Sequence, residues 1–129
     1  MRYLAISQVL FLHDLQITLY GGAHGITSIP LLESALIRPA INISGIDMFP
    51  TVYDKAAVLA CAIIKNHPFV DGNKRTAIYS AVVFLEINEF QVKIKRHYLT
   101  KLALRIADDR MNYKEVSSYF KKHTEYLGV

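Results

Sequence analysis

The sequence predicts an all-α fold, a single compact domain of about six helices. Three observations predict it: apolar residues recur mainly at helical spacing, the chain is only 129 residues long, and its residues are 52% hydrophobic but only 20% charged. A chain of this length suits one domain with its own core, so residues 1–129 are expected to form a single unit. The composition is globular and argues against disorder.

Two helices are expected before residue 40. Ser7 is the candidate cap of the first helix, which ends at Tyr20-Gly21-Gly22 because glycine readily takes the left-handed conformation that ends helices. Its candidate inward-facing residues are Val9, Leu10, Leu12, Leu15, Ile17 and Leu19. A loop follows at 21–29, and Pro30 suits the first turn of a second helix to about Arg38. Residues 42–50 are rich in turn-forming residues and predict a connection.

Two helices near the middle are predicted to be buried on all sides. Thr51 and Asp54 resemble a capping pair for a helix over residues 52–66, whose stretch from Ala56 to Ile64 is entirely apolar. A helix over about residues 74–89 has equally little polar surface. Helices that are apolar all round belong inside a protein, so this pair is expected at the centre, flanking the loop between them. An apolar run of nine residues is about half of a bilayer span, so no membrane segment is expected.

The last third of the chain is basic. The alternation from Gln91 to Lys95 indicates a short extended piece, followed by helices over about 96–109 and 113–123 with Asn112 as a cap. Residues 91–129 carry nine basic and four acidic side chains, against six and seven in residues 1–90. Such a region could bind nucleic acid or an acidic protein. The interspersed acidic residues favour a solvated face, so no direct nucleic-acid partner is expected.

The lone cysteine and the N-terminus indicate the compartment. Cys61 has no partner for an internal disulfide, lies in an apolar helix and is expected to be an inert packing residue. Polar residues interrupt the apolar stretch near the N-terminus, so no secretory leader is predicted. The protein is expected to be cytoplasmic.

A polar stretch between the two central helices is the strongest functional candidate. Seven of the ten positions from Asn66 to Arg75 are polar or glycine. This stretch must lie at the surface end of the helix pair, because buried backbone and charge there would be unsatisfied. A loop on a stiff support is a common place for reactive groups.

The residue types of this stretch are those of phosphate chemistry. His67 can accept a proton at neutral pH, Asp71 can hold Mg²⁺, and Gly72 lets the backbone turn around an anion. The next helix opens with Asn73, Lys74 and Arg75. Two cations at a helix N-terminus are unfavourable unless an anion is present. The stretch therefore indicates a nucleotide phosphate site, with an ordinary polar loop as the alternative.

The string His67-Pro68-Phe69-Val70-Asp71-Gly72-Asn73-Lys74-Arg75 resembles the signature of the Fic/Doc superfamily, which reads H-x-F-x-D/E-G-N-G-R-x-x-R in the adenylylating Fic branch. Lys74 replaces the second glycine and Ile78 the last arginine, and both departures are typical of the Doc (death-on-curing) branch. The N-terminal strings Leu12-His13-Asp14 and Tyr20-Gly21-Gly22 are also similar to Doc-type toxins, and the resemblance covers about residues 3–123.

The resemblance implies a Fic fold and a Doc-like toxin of a type II toxin–antitoxin pair. Such a toxin transfers a phosphoryl group from Mg-ATP to a hydroxyl side chain of a translation factor similar to elongation factor Tu, and so arrests protein synthesis. By position, His67 would be the general base, Asp71 would bind Mg²⁺ and Phe69 would anchor the loop. The phosphates would be held by Gly72, Asn73, Lys74 and Arg75. Tyr79 stands where Doc proteins commonly have a nucleotide-contacting asparagine.

Regulation is expected to come from a second protein. The sequence contains no S/T-x-x-x-E-G/N string of the kind that self-inhibited Fic proteins carry. The resemblance therefore implies a cognate antitoxin whose disordered segment folds into a groove on the toxin. Residues 42–52 are a candidate target-docking flap, in which Ile43, Ile46, Met48 and Phe49 are expected to be partly exposed.

Other functions stay open at this point. The first alternative is a protein adenylyltransferase of the same fold, and the second is a non-catalytic binding or regulatory module. An RNA nuclease is a third, indicated only by His67 and the basic tail. His13-Asp14 would suit an HD-type phosphohydrolase only with further spaced ligands, which the sequence lacks, so it is interpreted as a structural pair on the first helix.

Overall fold

Helices build most of the structure, a computed structural model that describes residues 1–128. Within this range α1 spans Ile6–Tyr20, α2 Ile29–Ile37, α3 Val52–Asn66, α4 Asn73–Ile87, α5 Arg96–Ala107 and α6 Tyr113–Lys122, and a short 3-10 helix spans Arg38–Ala40. Two antiparallel strand pairs join β1 (Asn42–Ile43) to β2 (Ile46–Asp47) and β3 (Phe90–Val92) to β4 (Thr124–Tyr126). The predicted all-α fold with about six helices is confirmed.

The central element is α3, which packs against α2, α4, α5 and α6. Ten of its fifteen residues are buried. Both α3 and α4 carry alanines without exposed surface: Ala56, Ala57, Ala60, Ala77 and Ala81. Short side chains let helices approach closely, and the α3–α4 contact is the most extensive in the fold. No helix in residues 1–128 combines the length and apolar character that crossing a bilayer requires.

Side-chain caps fix the starts of α3 and α6. Thr51 Oγ1 accepts a hydrogen bond from the Asp54 N–H at 3.0 Å, and Asn112 Oδ1 accepts one from the Glu115 N–H at 2.9 Å. Each bond satisfies a backbone donor that has no partner within its own helix. Both caps agree with the sequence prediction.

The start of α1 differs from its prediction. The predicted cap, Ser7, is wrong, because the helix begins at Ile6 and its N-cap residue is Ala5. The Gln8 side chain accepts a hydrogen bond from the Ala5 N–H at 2.7 Å. The backbone donor at this terminus is therefore satisfied from inside the helix, by a residue of the first turn.

The inward face of α1 is also different. Leu15 and Leu19, predicted to face inward, are 38% and 61% exposed, whereas His13 and Gln16 are buried. The reason is that α1 packs against α4 beside the α3–α4 loop, where His13 finds a polar partner. Hydrophobicity alone does not identify a helix face that contacts a polar loop.

The β3–β4 pair closes the C-terminal end of the described chain. The predicted extended piece, from Gln91 to Lys95, is observed as the shorter strand Phe90–Val92. Its partner Thr124–Tyr126 has no counterpart in the sequence prediction, because the pairing joins segments that are far apart in the chain. Helices α4 and α5 also end two residues earlier than predicted, at Ile87 and Ala107.

Candidate nucleotide site

The loop between α3 and α4, residues 67–72, is here called the motif loop. Its backbone is tied to the segment before α2: the Thr27 and Ser28 N–H groups donate to the Pro68 carbonyl at 2.7 and 3.1 Å, and the Val70 N–H donates to the Gly25 carbonyl at 3.0 Å. These bonds hold the loop from outside, while α3 and α4 hold its two ends. The loop is therefore rigidly supported although it lies at the surface.

Asn73 closes the motif loop from the first turn of α4. Its Nδ2 donates to the Phe69 carbonyl at 2.9 Å, and its Oδ1 accepts from the Phe69 N–H at 3.0 Å. The Phe69 side chain is fully buried, and Asn73 is only 4% exposed. Asn73 is predicted to bind phosphate, and its side-chain amide is bonded to the loop backbone. Its backbone N–H, at the start of α4, is the group that remains for an anion.

Asp71 projects from the motif loop as an exposed carboxylate with two backbone donors. Its Oδ1 accepts from the Gly72 N–H at 2.9 Å and its Oδ2 from the Ala23 N–H at 3.2 Å. These two bonds, in that order, lower the pKa of Asp71, and His13 and His67 contribute less. A Cβ atom on Gly22 would lie 2.7 Å from Asp71 Oδ2, so a glycine is needed there. The carboxylate is therefore ionised and fixed in direction.

His67 lies at the other end of the loop, in an unusual backbone conformation. It ends α3 with φ 48° and ψ 55°, in the left-handed region, and its N–H donates to the Ile63 carbonyl at 3.1 Å. A residue other than glycine in this region costs on the order of 1 kcal/mol or more, and such residues cluster at functional sites. The side chain is exposed, so it can meet a substrate.

A cleft of about 620 Å³ brings the predicted residues together. One part of its lining is His67, Asp71, Gly72, Asn73, Lys74 and Arg75. The rest of the lining is mostly apolar and comes mainly from α5, with Ala103, Leu104 and Ala107 beside Thr100. This volume lies in the range of small-molecule sites. A polar end and an apolar wall suit a ligand that has both characters.

The polar end of the cleft favours anions. Lys74 and Arg75 are exposed in the first turn of α4, where backbone N–H groups lack helical partners. Among the ion pairs found in residues 1–128, none involves either side chain. The Arg75 guanidinium instead stacks on the Tyr20 ring, 4.4 Å from its centre. Both cations thus keep their charge available to a ligand.

The residues present fit a magnesium ion that arrives with a nucleotide. Within the described 128 residues, no three His, Cys, Asp or Glu side chains group into a metal cluster. Mg²⁺ is commonly held by one or two carboxylates, with phosphates and water completing its shell. Asp71 offers one ionised carboxylate on the cleft wall, which is sufficient for that mode of binding.

Of the two positions that distinguish the family branches, residues 78 and 79, only residue 78 lines the cleft. Ile78, which stands where the Fic branch has an arginine, is 1% exposed and contributes to the cleft lining. Tyr79, which stands where Doc proteins commonly have an asparagine, packs half-buried against the core. Tyr79 is not part of the cleft lining.

The candidate flap is a hairpin tied to the core by a buried lysine. Lys55 is 2% exposed, and its Nζ donates to Asp47 at 2.7 and 2.9 Å and to the Pro39 carbonyl at 2.9 Å. Ile43 and Ile46 at the hairpin are 59% and 69% exposed, as expected for a docking surface.

One member of the flap was predicted wrongly. Phe49, expected to be partly exposed, is buried and packs edge-on against Tyr113 with ring centres 5.2 Å apart. This contact joins the end of the flap segment to α6. The sequence of residues 42–52 alone cannot predict it, because the partner lies in a distant helix.

Sequence reasoning missed two residues that support the site. His13 contacts Asp71 and Phe69, and Tyr20 contacts Arg75. The strings that contain them were noticed as similar to Doc-type toxins, but their contacts depend on how α1 crosses the motif loop. The structural pair predicted at His13-Asp14 is only partly observed: His13 is buried, while the exposed Asp14 accepts a hydrogen bond from His24 at 3.2 Å.

The fold and the site together define a class. A buried helix pair that presents a histidine, a carboxylate and a cationic helix start around one cleft is the arrangement expected of a Fic-type domain. Comparison with protein families agrees, because the model of the Fic/DOC family matches residues 3–85, more than half of the chain. The chain belongs to the Fic/DOC family.

Two curated relatives lie in the Doc branch. The chain is 42% identical over 73 residues to "Toxin Doc" of Mycolicibacterium smegmatis, covering 57% of this chain and 56% of that protein. It is 32% identical over 92 residues to "Protein kinase doc" of Escherichia phage P1, covering 71% of this chain and 72% of that protein. The chain thus spans just over half of the mycobacterial toxin's length and nearly three quarters of the phage kinase's.

Proposed function

We propose that this protein is a Doc-type toxin that transfers the γ-phosphoryl group of Mg-ATP to a hydroxyl side chain of a protein. The observation that carries the proposal is the shared cleft, where His67, Asp71 and the cationic start of α4 face one cavity. The name of the phage relative, a protein kinase, supports the same reaction. The name of the mycobacterial relative supports toxicity.

His67 is assigned the proton transfer. The target hydroxyl oxygen forms a bond to the γ-phosphorus, and the hydroxyl proton passes to the His67 imidazole. The bond from the γ-phosphorus to the bridging oxygen breaks, and ADP leaves with that electron pair. His67 is exposed at the cleft edge, where a protein chain can approach.

Charge neutralisation is assigned to Lys74, Arg75 and the start of α4. Phosphoryl transfer depends mostly on positioning and on electrostatic stabilisation of the phosphate oxygens. Asp71 would hold Mg²⁺, which when bound neutralises phosphate charge. The apolar wall from α5 would cover the less polar part of the nucleotide.

The choice of the γ-phosphate over the α-phosphate rests on Lys74. In the adenylylating branch a glycine at this position leaves an open backbone nest for the α- and β-phosphates. A lysine places a long cationic side chain on the cleft wall, which fills that nest and favours a reversed nucleotide with its γ-phosphate near His67. Adenylyl transfer is the alternative outcome.

The target and the partner are proposed by likeness. We assign the transfer to a translation factor similar to elongation factor Tu, with the exposed hairpin at Ile43 and Ile46 as the surface that meets the target. A cognate antitoxin would inhibit the toxin, since the sequence carries no inhibitory helix of its own. Growth arrest on expression, relieved by a protein encoded next to this gene, is the expected behaviour.

Incubation with γ-labelled or α-labelled ATP and cell extract tests the reaction. We expect protein-bound label only from the γ position, reduced on the order of 100-fold or more by His67→Ala. The matched control is His123→Ala, because His123 is exposed and lies outside the cleft lining. Label from the α position alone would replace the kinase assignment with adenylylation. Label from neither, with folded protein and active extract, would contradict transferase function.

A further inference from the structure

His13 lies outside the family motif, yet it is joined to the motif loop by two specific contacts. Its Nε2 is 2.8 Å from the Asp71 carbonyl oxygen. Its ring stacks on the Phe69 ring, with centres 3.8 Å apart and planes 6° from parallel. His13 is only 2% exposed, so both contacts are shielded from water.

The hydrogen bond fixes the protonation of the ring. A carbonyl oxygen only accepts, so Nε2 must carry a proton and donate it to Asp71. The other nitrogen, Nδ1, is 3.9 Å from Asp14 Oδ1, which is too far for a hydrogen bond. Asp14 is instead bonded to His24 at 3.2 Å. Of these two polar contacts of the His13 ring, only the one to the Asp71 carbonyl is short enough to be a hydrogen bond.

His13 acts through Asp71 and not on a substrate. It is buried and is not part of the cleft lining. Asp71 is held from both sides: His13 binds its carbonyl, while Ala23 and Gly72 bind its carboxylate. The carbonyl bond holds the Asp71–Gly72 peptide plane, which adjoins the Cα atom that carries the carboxylate.

We propose that His13 is a positioning residue that fixes Asp71 in its metal-binding orientation through the Nε2–H bond, with the Phe69 stack in a secondary role. The inference rests on the proposed Mg-ATP function of the cleft. Outer partners that orient metal ligands typically change metal affinity by on the order of tenfold or more. A loss of about tenfold is expected when the bond is removed.

Two variants separate the bond from the stack. His13→Phe keeps an aromatic ring on Phe69 and removes the donor, whereas His13→Gln keeps an N–H donor and removes the ring. His24→Gln is the matched control, because His24 is 59% exposed and touches Asp14 but not the motif loop. The probe is Mn²⁺ binding in the presence of ATP, followed by electron paramagnetic resonance. Nitrogen-15 spectra of the wild-type protein report which ring nitrogen carries the proton.

We expect His13→Phe to weaken Mn²⁺ binding about tenfold, with His13→Gln and His24→Gln close to the wild type. The spectra should show His13 as the Nε2–H tautomer. Unchanged binding in folded His13→Phe, an equal loss in His13→Gln, or an Nδ1–H tautomer would each overturn the inference. If His13→Phe does not fold, the inference is tested by the tautomer of His13 in the wild-type protein and by Mn²⁺ binding to His13→Gln. Absence of Mn²⁺-ATP binding in the wild type would instead refute the proposed function, and the inference with it.

Discussion

Removal of the Asn73 side chain should destabilise the protein far more than its place in a surface loop motif suggests. Asn73 satisfies both backbone groups of Phe69, at 3.0 and 2.9 Å, in a buried environment. Asn73→Ala leaves a buried N–H and a buried carbonyl without partners, each costing about 1 to 3 kcal/mol. We expect the free energy of unfolding to fall by about 3 kcal/mol, near the lower-middle of that combined range.

Denaturant unfolding followed by circular dichroism measures the loss. Asn66→Ala is the matched control, because the Asn66 amide donates a single bond to the Leu31 carbonyl at an exposed position, and it should cost less than about 1 kcal/mol. Asn73→Asp keeps the acceptor for the Phe69 N–H but loses the donor, so it should also be destabilised. If Asn73→Ala proves as stable as Asn66→Ala at an unchanged denaturant slope, the positioning role of Asn73 is refuted.

Three further predictions follow from single positions. His67→Gly should be more stable than His67→Ala by about 1 kcal/mol in thermal or chemical unfolding, because glycine relieves the left-handed backbone strain; equal stability would contradict that strain. Asp71→Asn should be less stable than the wild type at neutral pH, since backbone hydrogen bonds lower the pKa of Asp71 below 3.8. The stabilisation by the ionised carboxylate is lost as pH falls through that lowered pKa, so the stability difference should shrink in acid. A difference that does not shrink in acid would count against this prediction. Cys61 should react slowly with alkylating reagents at neutral pH, since burial raises its pKa from 9.0 to about 11 and lowers the thiolate fraction about 100-fold; rapid labelling of the folded protein would be the opposing result.

Local sequence patterns identified most of the helices because their determinants are local. The caps at Thr51 and Asn112 lie beside the helices they start, and all residues of the apolar stretch from Ala56 to Ile64 except Cys61 are buried. The motif loop is identified for the same reason: polar residues and glycine fill seven of the ten positions from Asn66 to Arg75, between two mostly apolar helices.

Most of the errors concern contacts between distant segments, such as that of Phe49 with Tyr113 on α6. Leu15 is exposed and His13 is buried, because α1 contacts a polar loop more than fifty residues away in the sequence. Asn73 is a different case, because its side chain binds the backbone of Phe69, only four residues away. Its role in phosphate binding stays a prediction, now for its backbone N–H. A sequence motif thus identifies the residues of a site. The structure is needed to distinguish the residues that face the ligand from those that hold the loop in place.

The most direct test is mass spectrometry of purified elongation factor Tu after incubation with this protein and Mg-ATP. We predict that one hydroxyl side chain gains a single phosphoryl group, and that His67→Ala abolishes the gain while His123→Ala preserves it. A gain of an adenylyl group, or a phosphoryl gain that His67→Ala leaves intact, would contradict the assignment of γ-phosphate transfer to this cleft.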